Sequence, residues 1–185
     1  MLHYCIELMN CDDKRVWTIQ DLFLESFFSN LDGGEMTPEC KRTVRAGAVF
    51  GKLPSILCLH LKRNNFLQKL NHVVKVTKLI VSAYTSQEVV SSDGNRYEEA
   101  CIGTVSQYKP IGQIHHYGNS MNSGHYNFYG KCANGSWEYI NDLERTENTP
   151  PPAASSTVCY VIYRKEQDIH VDGKFLELLL RKFMQ

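Results

Sequence analysis

After Pro54 the chain reads Ser-Ile-Leu-Cys-Leu-His-Leu-Lys-Arg, and in an extended strand Leu57, Leu59 and Leu61 fall on one face while Ile56, Cys58 and His60 fall on the other. Neither face is polar. A strand with one wet face alternates apolar with charged residues, so this run demands a structure that covers it on both sides. Residues 73–81, rich in β-branched side chains, and the break Ser91-Ser92-Asp93-Gly94-Asn95 before another mixed segment add further strands and a turn. Residues 125–132 and 136–140 flank Ala133-Asn134-Gly135, the composition of two strands around an Asn-Gly hairpin. After Pro150-Pro151-Pro152, residues 157–164 alternate well enough for a last strand.

Helical signals are fewer. Thr18-Ile19-Gln20-Asp21 has the form of a capping box, and Ile19, Leu22, Phe23, Phe27 and Leu31 follow at helical spacing until Gly33-Gly34. Such an apolar stripe packs against a core. Beyond Asp172-Gly173, Phe175, Leu176, Leu179, Leu180 and Phe183 share a face of a short terminal helix, with Arg181 and Lys182 suited to its C-terminal dipole. The expected organisation is one unit over residues 1–164 and a helical tail over 165–185.

With 185 residues, 43% of them hydrophobic, the chain can bury one ordinary core. Twenty basic residues balance twenty acidic ones, so the whole-chain charge offers no footprint for nucleic acid or an anionic membrane surface. No stretch approaches the roughly 20 apolar residues of a membrane span, and residues 1–9 lack a basic leader. The expectation is an intracellular protein, cytoplasmic or nuclear, with its seven cysteines reduced and with neither nucleic acid nor membrane as partner.

The string with most chemical content is Gly118-Asn119-Ser120-Met121-Asn122-Ser123-Gly124-His125-Tyr126, a small polar loop that delivers a histidine at a strand start. An imidazole near its ordinary pKa takes a proton from a thiol or hydroxyl and returns it to a leaving group, provided an acceptor holds its other nitrogen. The hairpin brings Asn141 and Asp142 back towards His125, and either can be that acceptor. The expected contact joins His125 to Asn141, with a loop or bulge adjusting the register. His115-His116 do not suggest a metal, because adjacent strand residues face opposite sides. Lys62-Arg63 read as a structural or solvated pair, and His60 as a structural histidine.

Three blocks in order carry a specific resemblance. Leu53-Pro54-Ser55-Ile56-Leu57-Cys58-Leu59-His60-Leu61-Lys62-Arg63 resembles the Leu-Pro-x-x-Leu-x-x-His-Leu-Lys-Arg segment of ubiquitin-specific proteases. His115-His116, Ser123-Gly124-His125-Tyr126 and Trp137-Glu138-Tyr139-Ile140-Asn141-Asp142 are similar to that family's histidine box, and Cys159-Tyr160-Val161-Ile162-Tyr163-Arg164 to its closing strand. The resemblance implies an α+β fold of the papain-like cysteine protease superfamily, mainly an antiparallel palm and fingers sheet with a few helices and most of the thumb absent. It implies His125 as general base, Asn141 as the residue that orients it and Asp142 as an assisting acid. Tyr126, Gly124 and Ser123 then line the approach for a substrate tail ending in Gly-Gly, and ubiquitin or ubiquitinated proteins are the implied partners.

Two features depart from the family pattern. The family opens its catalytic domain with a Gly-Asn-Thr-Cys nucleophile segment, and neither Cys5 nor Cys11 has such an approach. Many relatives hold structural zinc through two Cys-x-x-Cys pairs, whereas here Cys40 has Thr37 where its partner belongs. No metal and no cofactor are therefore expected. The chain reads either as the histidine half of a cysteine isopeptidase that removes ubiquitin or as an inactive ubiquitin-binding relative, with a purely structural domain as the remaining class.

Overall fold

The structure, a computed structural model, describes residues 1–8, 15–27, 50–64, 69–120 and 123–169. Its centre is strand β3 (Ile56–Lys62), in which Leu57, Leu59 and Leu61 are fully buried while Ile56, Cys58, His60 and Lys62 are partly covered. Strand β1 (Leu2–Glu7) pairs with β3 in parallel on one side, and β11 (Val158–Ile169) pairs antiparallel on the other. Beyond β11 the sheet continues through β6 (Arg96–Ser120), β7 (Ser123–Lys131), β8 (Trp137–Asn141) and β9 (Glu144–Glu147), all antiparallel. Strand β5 (Leu79–Val90) pairs with the first part of β6 across the turn at Ser91–Asn95, where Gly94 has a positive φ of 84°. A small second sheet joins β2 (Trp17–Thr18), β4 (Val74–Lys75) and β10 (Ala154–Ser155).

The structure bears out the α+β class, and strand pairing is antiparallel apart from β1 with β3 in the large sheet and β2 with β4 in the small one. Residues 73–81 hold β4 and the start of β5, and one strand reading shifts: the last strand runs through Ile169, five residues beyond the expected end at Arg164. Of the expected tail, residues 165–169 thus belong to the sheet; the helical stripe from Phe175 lies outside the described residues.

Helix α1 (Ile19–Phe27) begins as its capping box dictates. The Asp21 N–H donates to Thr18 Oγ1 at 3.1 Å, and the Thr18 N–H donates back to Asp21 Oδ2 at 3.3 Å, satisfying two N-terminal donors. Ile19, Leu22 and Phe23 enter the core, where Phe23 stacks on Phe50 and meets Tyr4 edge-on. Leu31 and the glycine stop lie outside the described residues. No helix among the described residues is long and apolar enough to cross a membrane.

Two tyrosines show how the core admits polar atoms. Tyr108 and Tyr163 are fully buried, and their hydroxyls donate to the carbonyls of Pro54 at 2.5 Å and Thr77 at 2.8 Å. Arg63 is the larger case. It is 1% exposed, and its guanidinium donates to the carbonyls of Val158 (2.6 Å), His72 (2.8 Å), Leu70 (3.2 Å) and Ser155 (3.4 Å). Burial pulls its pKa down to about 10, still leaving it cationic at neutral pH. The structural reading of this arginine holds; the solvated one does not.

Removing that fork takes the donor from four carbonyls, two of them in buried contacts. Arg63→Ala is expected to lower the unfolding free energy by about 3 kcal/mol or more, the scale of several charged hydrogen bonds less relaxation. Arg63→Lys should recover less than half, because an ammonium cannot span the same acceptors. Denaturant midpoints of the three proteins check this.

Candidate active site

The hairpin that carries the site is set by its turn. The Cys132 N–H donates to Ser136 O, Gly135 N–H to Cys132 O, and Gly135 takes a φ of +89° that its missing Cβ allows. From there β7 and β8 pair in register from Lys131 with Trp137 to Phe128 with Ile140. Continued past Phe128, this register puts His125 and Asn141 on one face as diagonal neighbours, a spacing that long side chains bridge. His125 Nε2 and Asn141 Oδ1 are hydrogen-bonded across sixteen positions of sequence. Side-chain reach closes the gap, and no bulge interrupts the β7–β8 pairing.

Asn141 is the last residue of β8. Asp142 follows in the left-handed region at φ 51°, which aspartate tolerates, and the chain turns so that Asn141 pairs with Glu144 of β9. Asp142 Oδ2 stands 3.8 Å from His125 Nε2, beyond hydrogen-bond length. Arg145 grips Glu138 with two bonds of 2.5 Å, bracing β8 against β9. An amide oxygen accepts and cannot donate, so the contact with Asn141 puts the proton on Nε2 and leaves the Nδ1 lone pair available.

Glycines shape the mouth of the loop. A Cβ on Gly118 would collide with the backbone of Ser123 and lie 2.8 Å from Gly124 Cα, so β6 and β7 close there only because that side chain is absent. Gly124 has a φ of +152°, and a Cβ on it would press into the ring of His116 and lie 2.5 Å from Tyr117 O. Ser123 Oγ meets Ser120 Oγ at 3.0 Å, while Met121 and Asn122 lie outside the described residues. Tyr126 is half exposed with its ring 4.5 Å from that of His116, which rules out a core role for it.

Behind the site His115 and His116 are both buried, on opposite faces of β6 as expected. His115 bonds Thr157 Oγ1 at 2.9 Å and Gln113 Oε1 at 3.1 Å, and His116 rests against Tyr126. Burial first, and then the Arg63 cation, depress the His115 pKa to about 4. Lys69, 7% exposed, donates to His116 O at 2.7 Å and Gly118 O at 2.8 Å, fixing the end of β6 from behind. Nothing in the sequence singles out Lys69, because a lysine with no nearby partner in sequence reads as a solvated residue.

Two outcomes are expected. Gly124→Ala should cost about 1–3 kcal/mol of stability, the scale of a non-glycine residue held in strained backbone, and should shift the His125 ring resonances in NMR spectra. His115 gains protons in the unfolded chain below its ordinary pKa near 6.5 but resists them in the fold. Stability should therefore be unaffected by this group above that pH and fall by up to about 3 kcal/mol as pH drops towards 4, a slope that His115→Gln removes.

Among known proteins, the family model described as ubiquitin carboxyl-terminal hydrolase matches residues 2–163. The human protein ubiquitin carboxyl-terminal hydrolase 3 is 29% identical over 162 residues, which cover 82% of this chain and 30% of that protein. The solved Ubp8-Sgf11-Sgf73-Sus1 SAGA DUB module contains a similar fold, with a TM-score of 0.61 at 20% identity over 91% of this chain and 35% of that one. A SAGA DUB module bound to monoubiquitin gives a TM-score of 0.60 at 20% identity over 88% of this chain and 35% of that one. The chain spans about a third of the length of these proteins.

Proposed function

Because this chain belongs to the ubiquitin carboxyl-terminal hydrolase family, we propose that it supplies the histidine half of a cysteine-type deubiquitinase, acting on the isopeptide bond at the C-terminus of ubiquitin. The observation that carries this reading is the bond between His125 Nε2 and Asn141 Oδ1 at the exposed end of a hairpin. His125 Nδ1 takes the proton of a thiol supplied from outside this chain. The thiolate then attacks the carbonyl carbon of the last glycine, and the imidazolium gives its proton to the departing lysine amine, leaving a thioester. Water, deprotonated by the same Nδ1, cleaves the thioester and restores the thiol. Asn141 keeps the ring in one tautomer and orientation throughout, and Asp142 adds negative charge 3.8 Å from the same nitrogen.

Tyr126, Gly124 and Ser123 form the wall for the substrate tail in this reading. Gly124 offers backbone without a side chain beside a half-exposed aromatic, which suits a narrow path for a Gly-Gly terminus. The unpaired thiols of Cys5, Cys58, Cys132 and Cys159 agree with a reducing compartment, cytoplasm or nucleus.

The test joins the chain to a family segment bearing the Gly-Asn-Thr-Cys nucleophile and follows release of a fluorescent amide from the ubiquitin C-terminus. The chain alone should be silent, and the joined protein should turn over. His125→Ala should then reduce turnover by about 10²–10⁴-fold, the range of a general base. Asn141→Ala should reduce kcat more than it raises KM. Turnover by the isolated chain, or a joined protein indifferent to His125→Ala, overturns the assignment. Binding of ubiquitin without turnover in a folded joined protein favours the inactive relative instead.

A further inference from the structure

At the opposite edge of the sheet from the hairpin, β1 and β3 place three metal-ligating side chains together. Cys5 lies directly across from His60 in the parallel register, and His3 precedes Cys5 by two positions on the same face. One ligating atom from each of His3, Cys5 and His60 falls within 4.8 Å of the other two. Cys5 Sγ and His60 Nδ1 are 3.7 Å apart. For tetrahedral zinc, with Zn–S of about 2.3 Å and Zn–N of about 2.0–2.1 Å, the sulfur and nitrogen sit about 3.6 Å apart. The existing separation is therefore the one an ion would need.

The supports of the set are already rigid. His60 stacks on Tyr160 with ring centroids 4.2 Å apart and planes within 8°, so the ring that faces Cys5 is held from behind. His3 stacks loosely on His60 at 5.8 Å and is exposed, free to rotate the remaining distance towards an ion. Hydrogen bonding between Cys5 and His60 and ring stacking of His3 on His60 bring the three side chains together without an ion, and the convergence of one sulfur and two imidazoles on one point is what makes the set a candidate metal site.

We propose that His3, Cys5 and His60 bind one zinc ion, with the fourth position open to water, and that the ion clips the edge strand β1 to β3. Two imidazoles and a thiolate suit zinc and its neighbours in the transition series rather than calcium or magnesium, which take oxygen ligands. Binding displaces the Cys5 thiol proton to solvent. The three proposed ligands are none of those in the Cys-x-x-Cys arrangement sought in the sequence, and the site revises the expectation that the chain carries no metal. A clip here closes a loop of more than fifty residues between Cys5 and His60, so the ion stabilises the fold by narrowing the unfolded ensemble.

Cobalt(II), a spectroscopic substitute for zinc, tests the site on the full chain under reducing conditions. One equivalent should bind with the absorption of thiolate-to-cobalt charge transfer and be displaced by zinc, which should also raise the Tm. Cys5→Ala should abolish the thiolate band, and His3→Ala should weaken binding by more than the roughly 10–100-fold lost with an outer-shell partner. Both side chains are exposed, so these variants keep the core, and circular dichroism verifies it. Cys58→Ala, which removes the nearest thiol on the same face, should leave the band unchanged. A thiolate band that survives Cys5→Ala, one that vanishes with Cys58→Ala, or no stoichiometric binding by the starting protein overturns the site.

Discussion

The guanidinium of Arg63 is the constraint around which the rest of the described structure is arranged. It sits at the end of β3, where the central strand leaves the sheet, and its four carbonyl acceptors come from β10, β11 and the segment leading to β4. Among the described residues no carboxylate pairs with it, and four backbone carbonyl dipoles stabilise the charge. A buried cation held this way is costly to leave unsatisfied, and that cost ties each acceptor to its place. Burial first, and then the same charge, lowers the pKa of His115 and Lys69, and Lys69 in turn positions β6 beneath the candidate site.

The site depends on this frame through geometry rather than contact. Strand β11 runs between β3 and β6, and β6 carries β7, whose hairpin partner β8 ends at Asn141. Each step is a backbone ladder, so the strands that Arg63 holds together also set where the hairpin and its imidazole lie. Lys69 closes the path from the other side by bonding the carbonyls of His116 and Gly118, next to the glycine-lined loop base. The two ends of the sheet then offer different chemistry: a histidine oriented by an amide at one end, and a cluster of sulfur and imidazole at the other.

Much of the fold was legible because local rules agreed with it. The capping box at Thr18, the Asn-Gly turn and the two-faced apolar strand each specify their element from a few neighbouring residues. The break within residues 73–81 was not legible. Val76 and Thr77 have strand propensity, but Tyr163 takes the Thr77 carbonyl for its own hydroxyl, a demand made by a residue 86 positions away. The extension of β11 to Ile169 likewise follows from partners on β6, with Asp168 and Ile169 pairing Ser106 and Val105.

For the site, the order of residues along the hairpin was enough to name His125, Asn141 and Asp142 as neighbours, because a tight turn converts sequence distance into spatial proximity. The sequence also named Asn141 as the partner; what the tertiary structure decides is how the contact is made, by diagonal reach across β7 and β8 with no bulge, while the left-handed turn at Asp142 leaves its carboxylate 3.8 Å from the ring nitrogen. The burial of Arg63 and Lys69 and the meeting of His3, Cys5 and His60 lay beyond the sequence altogether. They arise from strands paired across long separations, and residue spacing along one chain carries no record of which distant strand will lie alongside it.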